Sequence, residues 1–100
     1  MKLLTVKSSF ELNCDGYRHI MPAGIKLNFI KETYYFYHAY YESHNYKALV
    51  ECKGKEIELS LHRVQGSKSF KLLRCKPTHD DASKVFWKDL FEEECPLEIK

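Results

Sequence analysis

The sequence predicts a mainly β (α+β) domain: an antiparallel sheet of about five to six strands, or an open barrel, with one C-terminal α-helix. Three observations predict it. Thr33 to Tyr41 is a nine-residue run in which six residues are aromatic, out of fourteen aromatics in the chain. Aromatic side chains suit a pleated, extended backbone. Tyr46 to His62 alternates apolar and polar residues around Lys53-Gly54, the pattern of a β-hairpin with one buried and one wet face. After Pro77 the apolar period changes from two to nearly four.

Taken in order, Leu4, Val6, Ser8, Phe10 and Leu12 share a parity and read as one first strand. Asn13-Cys14-Asp15-Gly16 breaks it with turn formers, and Tyr17–Met21 is ambiguous before the turn Pro22-Ala23-Gly24. Ile25, Leu27 and Phe29 alternate with polar residues and lead into the aromatic run. In a strand, Tyr34, Phe36, His38 and Tyr40 point one way and Tyr35, Tyr37, Ala39 and Tyr41 the other. Glu42-Ser43-His44-Asn45 is polar and reads as the turn into the next strand. Phe70 to Cys75 is a last strand. The β part spans about 2–76 and the helix about 79–94, within a single domain of residues 1–100. Thr78 and Asp81 form a short-armed capping box, and Ala82, Phe86 and Leu90 stack beside a row of Trp87 and Phe91. Glu92-Glu93-Glu94 opposes the negative helix C-terminus, so the helix frays before Pro96.

The net charge of +2 is unevenly spread. Residues 47–76 carry eight basic and three acidic side chains, while residues 77–100 carry three basic and seven acidic ones. Such asymmetry marks either a nucleic-acid face or two parts of one fold that attract each other. No apolar stretch is long enough to span a membrane, and the apolar start of Met1–Val6 is broken by Lys7 and Ser8 with no cleavage site following. This points to a cytoplasmic protein with no membrane partner. Cys14, Cys52, Cys75 and Cys95 lie far apart without a CxxC pair, so they read as reduced, partly buried thiols. Cys75 and His79 with Asp80 and Asp81 make only half a metal site, and neither metal nor cofactor is expected.

From Gly24 to Val64 the rhythm resembles that of small SH3-like barrels: a strand after a turn glycine, an aromatic strand, and a tight hairpin ending in Leu61-His62-Arg63-Val64. The resemblance implies an open barrel and transfers no binding residues. In style, a short motif-free chain rich in Tyr, Lys and Cys also resembles the accessory proteins with which phages redirect or inhibit host machinery.

The sequence holds no G-x-S-x-G, H-E-x-x-H or phosphate-cradling glycine loop, which points away from catalysis. Cys52 or Cys75 with His38 or His62 supplies residue types for a nucleophile pair without a defining spacing. Binding is the expected function. Tyr35, Tyr37 and Tyr41 are the candidate aromatic platform, with Arg63, Lys71 and Arg74 as basic companions. The partner is another protein, for which tyrosine and arginine are effective anchors. The alternative is single-stranded nucleic acid, stacked on the rings and tracked by the cations. Homodimerisation through the aromatic face is a third use. Against all three stands packing of the tyrosines beneath the C-terminal helix.

Overall fold

The computed structural model describes residues 2–78 and 82–100. The alternating segments form eight strands among the described residues, all paired antiparallel, in two sheets. Across the larger sheet run β1 (Lys2–Thr5), β4 (Lys26–His38), β5 (Ser43–Cys52), β6 (Lys55–Val64) and β7 (Lys71–Leu72). The smaller sheet sets β2 (Phe10–Cys14) between β3 (Tyr17–Met21) and β8 (Cys75–Pro77). The mainly β class with one C-terminal helix is what the periodicity predicts.

The long first strand is instead two. Leu4, Val6, Phe10 and Leu12 are all buried, as their shared parity requires, but they serve different sheets. The chain changes sheets at Val6–Ser9, where other segments take its backbone groups. Val6 N–H donates to Ile25 O (3.0 Å), Gly24 N–H donates to Val6 O (2.8 Å), and Lys7 N–H donates to Leu90 O (2.7 Å). The ambiguous Tyr17–Met21 segment becomes β3 because Asp15 (φ 50°) and Gly16 (φ 81°) close a two-residue hairpin onto β2. Lys53 (φ 51°) and Gly54 (φ 80°) do the same between β5 and β6. Two successive positive φ angles define the turn whose twist matches the flanking strands.

The turn after the aromatic strand comes earlier than Glu42–Asn45. It spans Ala39–Glu42, with Glu42 at φ 48° and its N–H donating to Ala39 O (3.2 Å). Tyr40 and Tyr41 therefore sit in the loop, while Ser43, His44 and Asn45 begin β5. Polarity misplaced the turn because Ser43 and His44 are buried and find hydrogen-bond partners inside the fold.

The C-terminal helix contracts to one turn, α1 (Trp87–Leu90). Upstream, Leu72 N–H donates to Val85 O (2.9 Å) and Trp87 N–H to Phe70 O (2.8 Å), so Val85–Trp87 lies extended beside β7. Val85 and Trp87 are buried with Phe86 half-buried between them, a period of two where an i, i+4 row is expected. Downstream, Phe91 bridges Val6 and Glu92 N–H donates to Thr5 O (3.0 Å). These sheet-type bonds replace the helical ones. The Glu93 carboxylate accepts from Thr5 N–H (2.6 Å) and Thr5 Oγ1–H (3.0 Å). Of the expected capping box, Thr78 instead donates from both N–H and Oγ1–H to Ser9 O (3.1 Å each), and Asp81 lies outside the described residues.

The core lies between the inner face of the larger sheet, the smaller sheet and the C-terminal segment. Phe91 is its hinge, edge-on to Phe10 (5.7 Å) and stacked on Trp87 (4.1 Å). Burial of each such side chain contributes ~1.5–3 kcal/mol before conformational entropy is counted.

Candidate interaction surface

The aromatic strand owes its two-sided character to two bulges. In the β4–β5 register Phe29 faces Val50 but Lys31 faces Leu49, and Glu32 faces Ala48 but Tyr34 faces Lys47. Ile30 and Thr33 are the extra residues. Each bulge inverts the alternation of faces, so the second undoes the first. Leu27, Phe29, Glu32, Tyr35 and Tyr37 thus point to the inner side, and Tyr34, Phe36 and His38 to the outer.

On the inner side the rings are tied down. Tyr35 O–H meets His44 Nδ1 at 2.5 Å, and His44 Nε2 bonds Gln65 Oε1. His44 thus links Tyr35 to Gln65 through its two ring nitrogens. Tyr35 also packs on Tyr46 (5.0 Å) beneath the Lys100 ammonium (4.5 Å), which itself pairs with Glu32 at 2.7 Å. Tyr37 leans on His44 (4.7 Å) at the open end of this row and keeps 39% of its surface in water.

On the outer side the rings are open to water. Tyr34 and Phe36 are 47% and 49% exposed, and Tyr40 and Tyr41 in the loop 84% and 68%. Phe36, His38, Tyr41 and Tyr40 form a chain of ring contacts with centroids 6.0, 4.7 and 4.9 Å apart. Exposed Val64 lies in the same row, His38–Ser43–Val64, with buried Ser43 between it and the rings. The C-terminal segment passes on the other side, where Glu98 O accepts from Tyr46 O–H (3.2 Å), and so does not shelter these rings.

The six residues singled out from the sequence are divided by the fold. Tyr37 and Tyr41 reach the surface near the β4–β5 turn, and Tyr35 is half-buried below them. Lys71 shares the outer face, three strands away in the row Phe36–Asn45–His62–Lys71. Together with burial, which acts more strongly, its charge lowers the pKa of His62. Arg63 is corrected: it points inward and is 2% exposed, so it offers no phosphate contact. Its Nη1 donates to Ser67 O (2.9 Å) and its Nη2 to Tyr46 Oη (3.2 Å) and Lys100 O (3.1 Å). Parity explains this, because Arg63 follows Ile57, Leu59 and Leu61 on the inward face of β6. Arg74 is exposed but stands apart, at φ 54° between β7 and β8, lining a groove with Glu11, Asp15 and Lys76. Phe36, Tyr34 and Tyr40 join this surface; the sequence groups them with His38 by parity, but which parity faces outward is set by where the core lies.

No constellation for chemistry assembles among the described residues. All four cysteines are free and half-buried, and burial pushes the Cys75 and Cys95 thiols up to about 12, leaving them protonated near neutral pH. His79, Asp80 and Asp81 of the half metal site lie outside the described residues. Among the others, no group of three or more His, Cys, Asp and Glu gathers to hold a metal. No described helix is long and apolar enough to cross a membrane. Comparison with protein-family models, curated proteins and solved structures finds no match.

Proposed function

We propose that this is a non-catalytic binding protein that regulates or inhibits a protein partner, docked on the outer face of the β4–β5 hairpin. One observation carries the proposal: Phe36, Tyr40 and Tyr41 are exposed and are joined through half-buried His38 into a continuous ring cluster, which the described elements leave open to water. Exposed, contiguous aromatic surface is the composition of interface anchors. Regulation by occupancy matches the style shared with phage accessory proteins.

The charges favour a protein over single-stranded nucleic acid. Lys47, over the Tyr34 ring at 5.6 Å, also pairs with Glu58 at 3.8 Å. Lys100 pairs with Glu32, and Arg63 is buried. Of the cations on the outer face, Lys47 is thus paired and Lys71 stands on another strand, so the described residues set no run of free cations beside the rings to track a phosphate backbone. Affinity purification with and without nuclease treatment tests the proposal. A protein partner retained by wild type after nuclease treatment, and lost by Phe36→Ala/Tyr41→Ala with an unchanged melting temperature, supports it. Recovery of nucleic acid alone, with binding that falls steeply as salt rises, overturns it.

A further inference from the structure

The ring cluster is one feature of β4; its open backbone edge is another. Among the described residues β1 pairs with β4 through Lys26–Phe29, and β4 continues to His38 with β5 on its other side. Among the described residues no backbone hydrogen bond from another element reaches the open side of Tyr34–His38. Alternate residues there present unpaired N–H and C=O groups, which form a template for a further strand. Folded domains usually blunt such an edge with charge, proline or shortness. The opposite edge of the same sheet follows that practice, since β7 is two residues long and contains Lys71. The β4 edge does not: Thr33 to Tyr41 contains no charged residue and no proline. Its bulges are confined to Ile30 and Thr33, so Tyr34 to His38 pairs in regular register.

We infer that this edge takes the same edge of a second copy of the chain, joining the two larger sheets across a two-fold axis at Phe36. The segment is self-complementary when antiparallel. Phe36 meets Phe36 of the partner copy, Tyr34 meets its His38, and Tyr35 meets its Tyr37, so every cross-strand pair is aromatic and uncharged. Beyond the paired stretch, Lys31 runs alongside the partner's Ala39–Glu42 turn, which brings a cation toward Glu42. No like charges oppose one another. The outer rings of both copies then lie on one continuous face, doubling the surface described above.

The test uses the purified full chain with no other component, so its failure leaves docking of a protein partner standing. Sedimentation velocity over a concentration series is expected to show wild type passing from monomer to dimer mass. Phe36→Lys and Phe36→Glu each place like charges opposite one another at the axis, and each alone is expected to remain monomeric. Mixed in equal amounts they are expected to restore the dimer, because Lys then faces Glu. Far-UV circular dichroism and melting temperature confirm that both variants fold. Wild type that stays monomeric at its solubility limit, single variants that still dimerise, or a mixture that stays monomeric overturns the inference.

Discussion

Arg63 gives the sharpest test of how the fold is held together. The residue is 2% exposed, and its guanidinium donates three hydrogen bonds, leaves Nε without a partner among the described residues and lies 5.9 Å from the Phe70 ring centroid. A hydrogen bond from a charged donor contributes ~1.5–3 kcal/mol, and such terms do not add in full. Arg63→Ala strips three acceptors of their donor and opens a cavity, so a loss of about 3–5 kcal/mol is expected. Set against a stability of ~5–15 kcal/mol for a domain of this size, that is a large fraction. Arg63→Met strips the same acceptors but keeps the stem against Phe70, leaves little cavity and removes the charge that had to be desolvated, so its loss should be smaller than that of Arg63→Ala by about 1–2 kcal/mol. Urea titrations read both as midpoint shifts at constant slope. Were Arg63 a surface phosphate contact, both variants would fall within about 0.5 kcal/mol of wild type. A near-neutral Arg63→Ala would refute the buried-anchor account.

Three smaller effects follow from individual contacts. Lys53 holds φ 51° at the first position of its hairpin turn, a conformation Asn adopts more readily, so Lys53→Asn should raise stability by about 0.5–1 kcal/mol in the same titration. Hydrogen bonding to Thr5 N–H holds the Glu93 carboxyl below its ordinary value. Its stabilising effect is thus complete above the unfolded-state pKa and is lost as pH falls through the folded one. Glu93→Gln should flatten stability against pH on the acid side, and an unchanged acid slope would contradict the contact. Lys71→Ala removes one of the two causes that lower the His62 pKa, so an NMR titration of that imidazole should move upward.

Where local chemistry decides the structure, the sequence was legible. Lys53-Gly54 fixes a hairpin whose register alternates cleanly from Tyr46 to Leu61, and parity alone buries Leu4, Val6, Phe10 and Leu12. What parity cannot reveal is a strand that changes sheets, because side-chain alternation survives the break at Lys7–Ser9 while the hydrogen-bond partners change. The C-terminal segment misled for a related reason. Ala82, Phe86 and Leu90 have helical spacing, yet the free edge of β7 bonds Val85 and Trp87, and tertiary pairing outweighs local preference. At the interaction surface the concentration of rings was plain and their division between faces was correct as far as His38. Composition does not separate Tyr35 from Phe36, since exposure depends on which side the core lies. Arg63 is legible in the sequence, because it continues the inward row Ile57, Leu59 and Leu61 of β6.

The central claim is that the outer rings form the docking surface, and a comparison of ring positions tests it most directly. Tyr17 on β3 is 71% exposed and belongs to the other sheet, which makes it a matched aromatic control. With the captured partner titrated against each variant, Phe36→Ala/Tyr41→Ala is predicted to weaken binding by about thirtyfold or more, the equivalent of ~2 kcal/mol, while Tyr17→Ala leaves it unchanged. Full affinity in the double variant, or an equal loss in Tyr17→Ala, would contradict the claim.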